Sequence, residues 1–260
     1  HPLNKKENSN IVTKKQISKS LTDDPSWKLH WQMSNAERFA LEGILRRMKP
    51  ALSLKIGTYQ GGSIQVISQH SHKVISVDID PGIASNLAQH FNNVEFRSGD
   101  SKSLLPDIVA DLNRCGRHVD FVLIDGDHSE DGVRRDIEAI LKLKVTKRIV
   151  ILMHDGFNPD CRTGMRSAHW ESCPHVHYLE LDFTMGNFHA QAHDTADARS
   201  MWGGFACAVL EPELRDGPLE ISERQKAVFE AIFPLSIHAP SMHSNQINEC
   251  VPETLPLKTI

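Results

Sequence analysis

Asp125, Asp127 and His128 follow the apolar run Phe121–Ile124, and His154 and Asp155 close the apolar run that begins at Ile149. Carboxylates supply hard oxygen ligands for a divalent cation, and imidazoles exchange protons near neutral pH. Gathered in one place, the two residue types suit metal binding or general acid–base work. The order of the sequence brings them together only if both runs are neighbouring strands ending at the same rim. Each run is continuously apolar and bounded by Gly and polar residues, the pattern of a strand buried on both faces. In an open α/β sheet, ligands sit outside the carboxyl ends of such strands. Neighbouring strands lie about 4.8 Å apart, so Asp125 and Asp155 would repel unless a cation or a shared proton lay between them. The competing structural reading has Asp127 capping the following helix, Asp155 capping a turn and His154 packed beneath a lid.

The rest of the chain must position these residues. Ser34 and Glu37 form a capping box, and Leu41, Ile44, Leu45 and Met48 make one apolar stripe of a helix that Pro50 stops. Leu52–Ile56 reads as a strand, Gly57–Ser63 as a glycine-rich turn and Ile64 onward as a helix. Glycines there let the backbone approach a ligand, and the helix start offers free N–H groups. The spacing Gly57, Gly61, Gly62 departs from GxGxxG, and no lysine follows as in a P-loop. Val74–Asp80 is a second strand, and it ends in acids, Asp78 and Asp80, where a ribose-binding acid belongs in a Rossmann-like half. Val94–Arg97 is a third. Strands four and five are the two runs described first, strand four taken from Val119, with a helix from Ser129 between them.

Five strands alternating with helices predict an α/β, Rossmann-like doubly wound sheet. Val176–Asp182 and Gly203–Leu210 add strands six and seven, antiparallel because no helix separates them. The sheet is therefore seven-stranded and mostly parallel, with an antiparallel last strand. Residues 156–175 and 183–201 read as long loops and as the candidate substrate lid. Ser222 with Gln225 is expected to open a last helix. Residues 1–24 read as a flexible basic arm, 25–235 as one domain and 236–260 as an extended tail.

Composition sets outer bounds. A hydrophobic content of 40%, a charged content of 24% and a net charge of −4 are ordinary for a globular protein and give no reason to expect nucleic acid. No apolar stretch is long enough to span a bilayer, so no membrane role is expected. Cys115, Cys161, Cys173, Cys207 and Cys250 form no CxxC pair, which favours a reducing, cytoplasmic setting. Trp27 and Trp31 suit a pocket mouth or the contact of a homo-oligomer.

Lys55-Ile-Gly-Thr-Tyr-Gln-Gly-Gly-Ser63, Ser76-Val-Asp-Ile-Asp80, Leu123-Ile-Asp-Gly-Asp-His-Ser129 and His154-Asp155 stand in the order and spacing of a known family. Over roughly residues 35–210 the chain resembles class I S-adenosylmethionine-dependent methyltransferases. The nearest branch is the small-molecule O-methyltransferases allied to the cephalosporin-hydroxylase and macrolide-sugar methyltransferase group. The resemblance implies S-adenosylmethionine as cofactor and a small-molecule hydroxyl as acceptor. It implies that Gly57, Tyr59, Gly62 and Ser63 surround the methionine part, that Asp78 binds the ribose, and that Asp100 and Ser101 lie near the adenine. In metal-dependent members, the positions of Asp125, His154 and Asp155 hold a divalent metal (Mg, Mn or Fe), and that of His128 supplies a base. The catalytic residues so implied are His128 and Asp125.

The chain departs from the pattern twice. Lys55 stands where an acid usually contacts the cofactor's ammonium. His154 stands where a glutamate is frequent, and imidazole is a poor ligand for Mg²⁺ but a good one for Mn²⁺, Fe²⁺ or Zn²⁺. Two other functions fit the same residues: a non-catalytic cofactor-binding relative, and a dinucleotide-dependent oxidoreductase.

Overall fold

The computed structural model describes residues 29–190 and 198–240. Its central sheet has seven strands in the order β3-β2-β1-β4-β5-β9-β6. The strands are β1 (Leu52–Ile56), β2 (Lys73–Asp78), β3 (Val94–Ser98), β4 (Phe121–Ile124), β5 (Ile149–His154), β6 (Val176–Glu180) and β9 (Phe205–Leu210). The first five are parallel, and β9 runs antiparallel between β5 and β6. This is the expected Rossmann-like doubly wound sheet, with its last strand inserted beside β5.

The alternation of side chains along the buried strands creates two cores. Phe121, Leu123, Val150, Leu152, Phe205 and Cys207 face one way and pack against Leu41 and Leu45 of α1 (Asn35–Met48) and Ile64 and Ile67 of α2 (Gly62–His70). Val122, Ile124, Ile151 and Met153 face the other way. They meet apolar side chains of α4 (Ser101–Arg114), α5 (Glu130–Ile140) and α6 (Pro159–Ser167). The short α3 (Pro81–Leu87) follows β2. The capping box of α1 forms as its sequence predicts, and Lys49 closes the helix in a left-handed conformation. Cys115, Cys161, Cys173 and Cys207 are free thiols, and Cys250 lies outside the described residues.

Three expectations need correction. Residues 156–175 are not a long loop. Asn158 caps α6 by accepting N–H groups of Asp160 and Cys161, Pro159 occupies its first turn, and a 3₁₀ turn follows at Trp170–Ser172. This segment packs on α5 instead of forming a lid. Within 183–201, Asn187–His189 (β7) pairs with Ser200–Trp202 (β8) as a two-stranded ribbon; residues 191–197 lie outside the described residues. The last helix, α7, spans Lys226–Ile232 with Gln225 at its cap position and no side-chain cap; Ser222 lies before it, bridged to Glu180 at the edge of β6. The arm at 1–24 and most of the tail lie outside the described residues. The described start of the tail is tied to β8, where Ile237 N–H meets the Arg199 carbonyl and Met201 N–H meets His238.

The packing of α6 on α5 is close. A Cβ on Gly164 would sit 2.4 Å from the Glu130 carbonyl oxygen. Gly164→Val should therefore destabilise the fold by about 1–3 kcal/mol, the usual cost of overpacking, as measured by urea unfolding.

Candidate functional site

The rim of the sheet at β1, β4 and β5 is organised by one buried cation. Lys55 is fully buried, yet its ammonium has partners: Nζ donates to Asp125 Oδ2 at 2.9 Å and to the Ile56 carbonyl at 3.3 Å. The register explains the meeting, since Ile56 pairs with Ile124 and Asp125 is the next residue of β4's chain. Gly57 must be glycine here. It has φ 76°, and a Cβ would fall 1.9 Å from the Asp125 carbonyl oxygen.

The other oxygen of Asp125 faces β5. Its Oδ1 lies 3.0 Å from His154 Nδ1, and Asp155 Oδ2 lies 3.1 Å from the same nitrogen. His154 Nε2 is 2.8 Å from Glu37 Oε1, on the first turn of α1. His128 completes the group, with Nε2 3.4 Å from Asp155 Oδ2 and 3.9 Å from Asp125 Oδ1. Asp155 is buried and adopts φ 59°, a strained conformation for a residue with a side chain. Its Oδ1 accepts the Gly203 N–H at 2.6 Å, which fixes the direction of the carboxylate.

These contacts set the charges. Burial alone would raise the Asp125 carboxyl, but the Lys55 ammonium and the two imidazoles hold it well below the usual carboxylate range. Burial opposes charge on His154, yet Asp125 and Asp155 together push it well above the ordinary histidine value. Glu37 is likewise buried, and the His154 ring and the Ser34 hydrogen bonds bring it below its usual value. The hydrogen bond to Asp125 raises His128, against the effect of burial.

The donor set suits a divalent cation. His154 Nδ1 is buried and makes no well-directed hydrogen bond, although two carboxylate oxygens stand beside it. Ligand bonds of ~2.1 Å at right angles put neighbouring donors ~3.0 Å apart, close to the spacing seen here. Asp125, His154 and Asp155 each offer one such atom. Asp127 takes no part. Its Oδ1 accepts the Ser129 N–H just before α5, while the cap of that helix is Ser129 itself, whose hydroxyl accepts the Gly132 N–H, so the expected capping by Asp127 is not what forms.

A cavity of about 470 Å³ opens over this cluster. The glycine turn contributes Thr58, Tyr59, Gly62 and Ser63 to its wall, and β7, β8 and the residue after them contribute Asn187, His189, Trp202 and Gly203. Gly62 has a structural reason as well: a Cβ would lie 2.3 Å from the His30 carbonyl oxygen, so residues 30–31 pass directly over it. Asp78, Asp100 and Ser101 do not line the cavity. Asp78 shapes the turn, with Oδ2 accepting the N–H groups of Thr58 and Tyr59 at 2.6 and 3.0 Å. Asp100 caps α4 by accepting the Lys102 N–H, and Ser101 is the first residue of that helix.

Sequence reasoning took Glu37 for a helix cap alone and singled out none of Asn187, His189 and Trp202, although the first two fall in the 183–201 stretch expected to cover the substrate. The capping pattern was legible. The contact of Glu37 with a residue 117 positions away was not.

Residues 54–156 match the family model described as a methyltransferase domain. No curated protein matches the chain. Solved structures similar in fold include an O-methyltransferase from Bacillus cereus in complex with SAH (19% identity, TM-score 0.50, covering 69% of this chain and 83% of that one). A cofactor-bound protein from MTB is 19% identical, with a TM-score of 0.52 and coverage of 76% and 94%. An O-methyltransferase of tomaymycin synthesis from Streptomyces achromogenes, in complex with SAM, is 18% identical, with a TM-score of 0.50 and coverage of 69% and 82%.

Two measurements test the electrostatics. Lys55→Glu would place two carboxylates side by side and should cost at least the roughly 3–5 kcal/mol typical of a broken buried pair, read by denaturant unfolding. Asp136 is a separate case. It is buried with Oδ2 unpartnered among the described residues, and burial pushes its carboxyl up to about 6. Its folded value lies above its unfolded one, so the protein loses stability as pH rises from about 4 through 6. Asp136→Asn should be more stable than wild type by up to about 3 kcal/mol at pH 7–8 and lose that advantage near pH 4.

Proposed function

We propose that this chain, whose residues 54–156 match a methyltransferase-domain model and whose fold is similar to that of O-methyltransferases, transfers a methyl group from S-adenosylmethionine to a hydroxyl of a small-molecule acceptor. The observation that carries this reading is one shared cavity. The N-terminus of α2 and the glycine turn form one wall, and His128, His154, Asp125 and Asp155 form another. Methyl transfer to oxygen requires a methyl donor and a proton acceptor within one space, held in line.

Gly62 and Ser63 sit at the start of α2, where free N–H groups suit the carboxylate of the methionine part. Gly57 and Tyr59 shape the same turn, Asp78 anchors it from behind, and Asp100 and Ser101 lie on the adjoining β3–α4 edge. S-adenosylmethionine supplies an electrophilic methyl on a sulfonium. Lys55 is paired with Asp125, so its charge is neutralised and does not oppose the cofactor's ammonium despite the missing acid.

His128 is the proposed base. Its ring is about half exposed toward the cavity, and Asp155 and Asp125 stand behind Nε2 to stabilise the imidazolium formed when it takes the hydroxyl proton. Trp202 packs edge-on against the same ring at 5.6 Å between centroids and restricts its rotation. Asp125, His154 and Asp155 are the residues that would hold a divalent metal. Bound there, it would lower the pKa of an acceptor hydroxyl and orient it. The aromatic and polar lining from Trp31, Tyr59, Asn187, His189 and Trp202 suits a flat or polyhydroxylated acceptor.

Incubating the protein with methyl-labelled S-adenosylmethionine and a panel of phenols, sugars and polyketide alcohols, read by mass spectrometry, tests the reading. O-methylated product is expected. His128→Ala should slow its formation by roughly 10²–10⁴-fold while S-adenosylhomocysteine binding stays at the wild-type level. Labelling of amines alone would contradict the assignment to oxygen, and undiminished turnover in His128→Ala would remove the base.

A further inference from the structure

Glu37 lies outside the matched methyltransferase domain, on the helix that precedes it, yet it reaches the centre of the site. It is 1% exposed, and both of its carboxylate oxygens are engaged. Oε2 accepts the Ser34 N–H in the capping box. Oε1 accepts the Gly204 N–H at 2.6 Å and lies 2.8 Å from His154 Nε2. Gly204 adjoins Gly203, whose N–H holds Asp155. One carboxylate from α1 thus bonds both the imidazole and the loop that aims the neighbouring acid.

We propose that Glu37 is a positioning residue: it keeps the Nε2 proton of His154 for itself and turns Nδ1 toward Asp125 and Asp155, so that α1 completes a site for a divalent ion that accepts an imidazole ligand. The inference rests on the metal-assisted form of the methyl-transfer reading given above. A histidine that ligates a metal through one nitrogen commonly donates its other N–H to a carboxylate, which fixes the tautomer, orients the ring and raises its basicity. The side chains of that arrangement are in place. Nε2 faces a buried acid, and Nδ1 is buried without a well-directed hydrogen bond between two carboxylate oxygens. Phe205 packs edge-on against the His154 ring at 5.4 Å between centroids, which leaves Glu37 to choose the direction of the nitrogens. Ions of the Mn²⁺, Fe²⁺ and Co²⁺ type suit one imidazole and two carboxylates better than Mg²⁺ does.

The test is titration of the purified protein with Co²⁺, followed by visible absorption and calorimetry. Wild type should bind with a ligand-field spectrum that His154→Ala abolishes. Glu37→Gln should weaken binding by 10- to 100-fold, the usual effect of removing such a partner. Ser34→Ala breaks the same capping box without touching His154, so it should lower thermal stability but leave Co²⁺ affinity within about twofold. Equal losses in Ser34→Ala and Glu37→Gln would reduce Glu37 to a helix cap and overturn the proposal. So would wild-type affinity in Glu37→Gln, or absence of Co²⁺ binding to wild type. Should Glu37→Gln fail to fold, magnetic resonance of wild type carrying Cu²⁺ and Nδ1-labelled histidine decides: coupling to the labelled nitrogen is expected, and ligation through Nε2 would overturn the assignment. S-adenosylhomocysteine affinity, measured separately, reports on the methyl-transfer reading. Its loss with the Glu37 effect intact would sink that reading and leave this one standing.

Discussion

The ion pair between Lys55 and Asp125 is the constraint on which this rim depends. A lysine buried to this degree costs several kcal/mol of desolvation unless a carboxylate meets it. The partner stands on the next strand of the sheet, at 2.9 Å. Loss of Asp125 would leave the ammonium with only the Ile56 carbonyl, and loss of Lys55 would leave Asp125 to the two imidazoles alone. The pair therefore fixes where β1 and β4 end relative to each other, and Gly57 is squeezed against the Asp125 backbone as a result. The turn that follows inherits that position and is held from its other side by Asp78.

From Asp125 the charges alternate outward. His154 stands between Asp125, Asp155 and Glu37, and His128 stands beside Asp155. Three acids, one ammonium and two imidazoles share a small volume, and the pKa shifts run in the direction each neighbour demands. Such a cluster is held by geometry as much as by charge. Asp155 sits in a left-handed conformation, and Gly203 and Gly204 donate their N–H groups to Asp155 and Glu37. The strain at Asp155 is tolerated because the surrounding hydrogen bonds over-determine it. The fold and the candidate site are in this sense one structure, since the side chains that close the sheet's rim also line the cavity.

Much of this was legible from sequence. Alternating buried strands and amphipathic helices give the sheet, and apolar runs ending in Asp125 and in His154-Asp155 place the acids on one rim. The capping box at Ser34 and Glu37 was readable because it is local. What escaped was either non-local or concealed by composition. The partner of Lys55 lies 70 residues away, and that of Glu37 on His154 lies 117 away. No periodicity encodes such pairings. The α6 helix was hidden because Cys161, Gly164 and the nearby prolines look like loop residues, although Asn158-Pro159 is a good helix start. The β7–β8 ribbon is only three residues on each side, too short for alternation to show. The Ser222 capping pattern misled because the Ser222 backbone pairs with the edge of β6, so the helix starts only at Lys226.

The central claim is that Lys55 and Asp125 act as a single unit. A double-mutant cycle with Lys55→Met, Asp125→Asn and the combined variant, each followed by denaturant unfolding at pH 7, measures it directly. The account predicts that each single change is strongly destabilising and that the double variant recovers much of the loss. The coupling energy should reach about 2–3 kcal/mol, at the upper end for residues in contact. Additive effects within ~0.5 kcal/mol would contradict it, because they would mean that the two charges are stabilised independently.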